Sequence, residues 1–120
     1  MFNYESIPKE EAEKLIKLCF DSSWNFYKVS KENSLSGIVL IKDNEIHCWR
    51  SPTFKGRWIT RQDIENTLGT LIKKYSFVKT SVLKENSVGH KFVQRLGFKP
   101  VKEDEKVIYY ETEYLNHARL

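Results

Sequence analysis

Only two cysteines, Cys19 and Cys48, occur in the 120 residues, each in an apolar context and with no second pair nearby. That excludes a disulfide framework and a cysteine-based metal site, and leaves each as a small reduced hydrophobe. No apolar run is long enough to span a membrane, and the opening MFNYESIPKEEAEK has no apolar segment of signal-peptide type. A cytoplasmic or virion-internal protein, rather than a secreted one, is the expectation. Repeats, low-complexity tracts and linkers are also absent, so residues 1–120 are expected to form a single domain. Neither a hydrolase triad, a paired-carboxylate constellation nor a metal-ligand cluster can be assembled from the sequence.

What is present describes a soluble globular chain, with 40% hydrophobic and 30% charged residues. Aromatics reach 13%, which gives a short chain large side chains for its core. The net charge of +4 and pI near 9.0 suit an anionic cofactor. They are too mild to argue for nucleic acid.

Ser6 and Pro8 are placed to open a first helix, with Glu10, Glu11 and Glu13 at its positive end. Its apolar stripe would be Ala12, Leu15, Ile16 and Cys19. Trp24 to Val29 reads either as a short strand or as the tail of that helix, and Lys31 to Ser36 as a polar turn. Gly37–Lys42 and Glu45–Arg50 predict a hairpin joined at Asp43-Asn44. The unbroken apolar run from Gly37 to Ile41 fits a central strand covered on both faces. In the second strand Ile46, Cys48 and Arg50 share one face, and Glu45, His47 and Trp49 the other.

A basic loop follows, Thr53 to Ile59, holding Lys55, Gly56, Arg57 and Trp58. Thr60 can cap the next helix, with Asp63 completing a variant capping box. Ile64, Leu68, Leu71, Ile72 and Tyr75 form that helix's buried side. Phe77 to Val82 is then a β-branched, aromatic-rich strand, and Lys84 to Ser87 a polar turn. A short helix with Val88, Phe92, Val93 and Leu96 on one face ends at Gly97-Phe98. Asn86 or Ser87 can cap it, and Gly97 suits a left-handed stop. Pro100–Lys106 reads as a charged loop or part of a hairpin, Val107–Tyr110 as a last strand, and Leu115–Leu120 as a loose tail.

The order strand, Asn86, Gly89, helix, Gly97-Phe98 resembles the C-terminal signature of the GCN5-related N-acetyltransferases, and the resemblance covers roughly residues 37–111. It implies a mixed α/β domain, a twisted central sheet with helices on both faces. It also implies acetyl-CoA as cofactor and transfer of its acetyl group to an amine, held by a small molecule or a protein. By the same resemblance Lys55, Gly56, Arg57, Thr60, Arg61 and Asn86 would hold the cofactor. Trp49, Arg50 and Trp58 would face the substrate or a partner, and His47 on the strand before the loop would be the general base.

Two positions depart from the family pattern. Counting from Arg57, Thr60 and Gln62 stand where the phosphate loop carries small residues. Val93 stands where many members carry the Tyr that protonates the departing thiolate, and a valine transfers no proton. The alternative implied by these departures is a catalytically degenerate protein of this fold. It would resemble small phage-encoded relatives with a head-assembly, virion-internal or host-interaction role, and would act by binding a phage or host protein.

Overall fold

The computed structural model describes residues 2–21 and 23–113; the expected tail, with His117, lies outside them. The elements run β1 (Phe2–Ile7), α1 (Lys9–Ile16), β2 (Asn25–Lys31), β3 (Ser34–Lys42), β4 (Glu45–Arg50), α2 (Arg61–Tyr75), β5 (Val78–Leu83), α3 (Ser87–Leu96), β6 (Lys99–Glu103) and β7 (Val107–Thr112). The seven strands are ordered β1-β2-β3-β4-β5-β7-β6. The pairs β1–β2, β2–β3, β5–β7 and β6–β7 are antiparallel, while β4 and β5 are parallel and matched at Glu45 and Lys79. This is the expected mixed sheet with helices. Contacts divide the chain into two compact units, Met1–Lys42 with Ile46–Ile64, and Asp43–Glu45 with Glu65–Leu120.

In the first unit, β3 is the strand around which the rest packs. Ser36 to Leu40 are buried without a break, as a strand covered on both faces requires. Ile38 and Leu40 turn to the side of α1 and join Ile7, Ala12 and Phe26, with Leu15, Ile16, Phe20, Trp24 and Trp49 packed against them. Gly37 alternates to the opposite face, where the Trp58 ring lies directly on it.

The N-terminal segment departs from expectation. Ser6 does not open a helix; it lies in β1, paired with Tyr27. Pro8, with φ −72° and ψ 158°, is the N-cap instead, and its carbonyl accepts from the Ala12 amide at 3.2 Å. The helix stops at Lys17, whose φ of 67° is left-handed, so Cys19 falls beyond the stripe and is exposed. β1 was illegible because FNYESI lacks apolar alternation: the strand is held by its ladder to β2 and is exposed along most of its length. The expected turn over Lys31–Ser36 shrinks to Glu32-Asn33, both with positive φ (53° and 68°). That is the two-residue hairpin geometry matched to strand twist, and it releases Ser34–Ser36 to β3.

In the second unit, Val78, Thr80 and Val82 form the inner row of β5. Gly89 of α3 meets this row: a Cβ there would stand 3.0 Å from Val82 Cγ1. Val93 and Leu96 are buried on the same helical face, whereas Val88 is 69% exposed. The stripe is therefore Gly89, Val93 and Leu96, spaced i, i+4, i+7. Val88 sits about a quarter turn away from its centre. α3 ends as expected, with Gly97 at φ 109° and its amide bonded to the Gln94 carbonyl at 3.1 Å, and with the Phe98 amide on the Val93 carbonyl at 3.1 Å. Those two bonds make a Schellman stop. The charged segment after it is a true hairpin. Asp104 accepts the Lys106 and Val107 amides at 2.8 Å each, and the Tyr109 hydroxyl at 3.0 Å. These donors hold its carboxyl below the ordinary carboxylate range.

Candidate functional site

The basic loop leaves β4 at Arg50, and the local sequence explains its course. The Arg50 Nη2 donates to the carbonyl oxygens of Phe54 at 3.1 Å and Gly56 at 2.8 Å. Gly56 has φ 89° with open space around it, a conformation that L side chains rarely adopt. Trp58 and Ile59 then turn inward and are buried. The Ser36 hydroxyl, itself fully buried, lies 2.8 Å from the Trp58 carbonyl and 3.0 Å from that of Val29.

The loop delivers the chain to the start of α2. Thr60 caps it as expected: its Oγ1 accepts the Asp63 amide at 3.1 Å, and its carbonyl the Ile64 amide at 3.2 Å. The carboxylate of Asp63 accepts the Tyr4 hydroxyl from β1. That bond, with a second from Thr60, holds the Asp63 carboxyl below its usual range. Partial burial, and then Asp63, push the Tyr4 phenol up. Remaining first-turn amides of α2 point along its axis toward the loop, carrying the positive end of the helix dipole.

Of the sequence-derived candidates, Lys55, Gly56, Arg57, Thr60 and Arg61 are brought together in this loop and the first turn of α2. Lys55, Gly56, Arg57 and Arg61 are exposed, and Thr60 is half-buried. Three cationic side chains beside a helix N-terminus fit the phosphates of a coenzyme A. Gln62 is also exposed in the first turn. Arg50 lies beside the loop but spends one guanidinium nitrogen on its carbonyls.

Trp58 is placed otherwise than expected. At 8% exposure it is a core residue with its ring on Gly37, and it presents no face for stacking on a partner. Trp49 packs against the α1 side of the sheet. His47, two residues earlier, shares that face, with its ring 5.5 Å from Trp24. Because Trp58 covers the other face, the first unit separates His47 and Trp49 from the basic loop. The two outward patterns on β4 were legible; which one the loop crosses was not.

In the second unit Asn86 is the N-cap of α3, its Oδ1 accepting the Gly89 amide at 2.9 Å. A Cβ at position 89 would lie 2.5 Å from Asn86 Nδ2. The Asn-x-x-Gly spacing thus has a local reason: the capping side chain folds over a residue that must be small. Val93 is 8% exposed and faces the core.

Three arrangements escaped the sequence. The Tyr4–Asp63 bond and the Ser36 tie to Trp58 link residues 59 and 22 positions apart, and Arg50 completes the hold on the loop from 4 and 6 positions away. The third centres on His90. Its Nε2 is 2.8 Å from the Leu83 carbonyl, which can only accept, so Nε2 carries hydrogen. In the neutral ring Nδ1 then accepts from the Tyr110 hydroxyl at 2.7 Å. Tyr110 is almost fully buried, so the pair pins α3 to β5 and β7. No periodicity reports a contact between residues 90 and 110.

No protein-family model matches the sequence, and no curated protein matches it. Among solved structures, the chain is similar to a PaiA N-acetyltransferase from Thermoplasma acidophilum in complex with coenzyme A, with TM-score 0.71 and 16% identity over 95% of this chain and 99% of that one. It is similar to the N-acetyltransferase PseH of Campylobacter jejuni in complex with acetyl coenzyme A, with TM-score 0.66 and 19% identity over 93% and 98%. It is also similar to the ribosomal-protein-S18-alanine N-acetyltransferase of Escherichia coli, with TM-score 0.68 and 11% identity over 92% of each chain. Among the described residues, no helix is long and apolar enough to cross a membrane. The strand order, the three helices and these likenesses together give the chain the fold of the GCN5-related N-acetyltransferases.

Proposed function

We propose that the protein is an acetyl-CoA-dependent N-acetyltransferase acting on an amine. The observation that carries this reading is the exposed basic loop between β4 and the capped start of α2, in a fold whose solved examples include complexes with coenzyme A and acetyl coenzyme A. Acetyl-CoA supplies an activated thioester when bound. Lys55, Arg57 and Arg61 neutralise its phosphates, while loop and first-turn amides donate to them. His47, which the resemblance names to accept the amine's proton, lies on the face of β4 away from the loop and would reach only an amine entering from the α1 side. With Val93 in the core, water takes the place of a side-chain acid for the departing sulfur. Most of the rate enhancement then comes from positioning and from backbone donors.

A second reading is favoured by one observation: Val93 is a packed residue of α3, with no proton to give. Under it the protein is a silent member of the fold that acts by binding, with Lys55, Arg57 and Arg61 as the contact surface for a phage or host protein.

The first reading is tested by titrating acetyl-CoA into the wild type and into Arg57→Ala/Arg61→Ala. Saturable binding that weakens roughly tenfold or more in the double variant is the expected result, since hydrogen bonds to charged groups contribute about 1.5–3 kcal/mol when well formed. A wild type that shows neither heat nor thermal shift at millimolar acetyl-CoA rejects the cofactor assignment.

A further inference from the structure

Thr60 and Gln62 stand where small residues would let the backbone approach a phosphate unaided, yet three carbonyls of the loop before α2 are tied down by side chains of the sheet. Arg50, at the end of β4, holds the Phe54 and Gly56 oxygens through a single nitrogen, Nη2. Ser36, in β3, holds the Trp58 oxygen at 2.8 Å. The tied residues alternate: 54, 56, 58. No cis peptide bond occurs among the described residues, and in a trans peptide the N–H points opposite to the carbonyl of the same plane. Each tie therefore fixes the direction of the next amide. The Lys55 and Arg57 amides must point away from the Arg50 guanidinium, and the Ile59 amide away from the Ser36 hydroxyl.

Lys55 and Arg57 are exposed, and their amides lie on the side of the loop opposite the Arg50 guanidinium. A free loop would present carbonyls and amides at random to an approaching anion, and the carbonyls would repel it. Here two carbonyls are taken up by the Arg50 guanidinium and a third by the buried Ser36 hydroxyl. The positive φ of Gly56 lets the chain bend between the two oxygens that share one nitrogen. Trp58 then anchors the far end by burying its ring on Gly37.

From this geometry we infer that Arg50 is a positioning residue for the phosphate-bearing part of the cofactor. It acts with Ser36 as a clamp that holds the loop's carbonyls on side chains of the sheet and leaves the Lys55 and Arg57 amides to the anion. The inference rests on the acetyl-CoA reading above and deepens it. It differs from the expectation that Arg50 itself contacts substrate or partner, because the guanidinium is directed at backbone oxygens. The clamp replaces, by side-chain ties, the backbone freedom that the family obtains from small residues at positions here held by Thr60 and Gln62.

The test uses the full chain as wild type, Arg50→Ala and Arg50→Lys, with two readouts. Backbone ¹⁵N order parameters over Phe54–Arg57 report the clamp without any ligand. Titrations with coenzyme A and with phosphate-free pantetheine report its consequence. In the wild type the loop should be as rigid as the strands, near 0.85, and in Arg50→Ala it should fall below about 0.6. Coenzyme A should bind about tenfold more weakly to Arg50→Ala, pantetheine binding should not change, and Arg50→Lys should recover part of both losses because its ammonium also carries several donors. A loop that stays rigid in Arg50→Ala overturns the clamp, even if affinity falls, since Arg50 would then be touching the anion directly. A loosened loop with unchanged coenzyme A affinity overturns the positioning role. If the wild type binds no coenzyme A, the cofactor reading fails by itself and with it the positioning role; the order parameters still decide whether the clamp exists.

Discussion

Trp58→Ala is expected to lower stability by about 3–5 kcal/mol, the range for emptying a buried tryptophan site. The ring lies on Gly37 with 8% of the residue exposed, and the Trp58 carbonyl is held by buried Ser36. In a domain of this size, that loss corresponds to a fall in Tm of roughly 10–20 °C. Thermal and urea unfolding read it directly. A variant that unfolds like the wild type but binds a partner less well would instead restore Trp58 as an exposed contact residue.

Gly37→Ala should have the second-largest effect. A Cβ at this position would stand 2.5 Å from the Trp49 carbonyl oxygen and 2.7 Å from Cζ3 of Trp58. The indole can shift by some tenths of an ångström, but the Trp49 oxygen belongs to a strand. Overpacking of this kind costs typically 1–3 kcal/mol, and the backbone obstacle places Gly37→Ala at the upper end. The two substitutions share one contact, so they should not add. Removing the Trp58 ring should relieve part of the Gly37→Ala penalty and leave the part that comes from Trp49. Full additivity in the double variant would show that the ring does not rest on Gly37.

These two residues also show where sequence reading reached its limit. Gly37 was legible as the start of a buried strand, because an unbroken apolar run has few other uses. Trp58 was read as one of an interleaved set of basic and aromatic residues, which on composition alone suits a binding surface equally well. What decides between surface and core is the tertiary contact with Gly37, 21 positions away, and no local pattern encodes it. Several signals that depend on near neighbours held, although Ser6, Cys19 and Val88 did not take the helical places read for them. Thr60 and Asn86 cap the helices they precede, Gly97 supplies the left-handed stop, and Ser36–Leu40 are covered on both faces.

Elements whose stability comes from a partner strand were not legible. β1 carries little apolar alternation and is formed by pairing with β2. β6 was ambiguous for the same reason, being exposed along its whole length and held by β7. The site divides in the same way. Its local part, the basic loop running into a capped helix, could be read as a segment. The ties from Ser36 and Tyr4 span 22 and 59 positions and could not; those of Arg50 are local, but no periodicity reports a side chain turned on backbone oxygens.

The resemblance to acetyltransferases rested on the Asn86–Phe98 signature, and each of its residues now has a structural reason to be what it is. Asn86 caps, Gly89 lies under the cap and against Val82, and Gly97-Phe98 closes the helix. The signature therefore reports the fold and says nothing of chemistry. Val93 sharpens the point, since a core side chain occupies the position where a phenol would mark an enzyme by sequence alone.

Release of free thiol from acetyl-CoA in the presence of a panel of small and peptide amines tests the acetyltransferase assignment most directly. The account predicts thiol release that requires an amine and matches, mole for mole, the acetylated amine found by mass spectrometry. A folded protein that binds acetyl-CoA but releases no thiol with any amine would contradict it, and would leave the basic loop as a binding surface without chemistry.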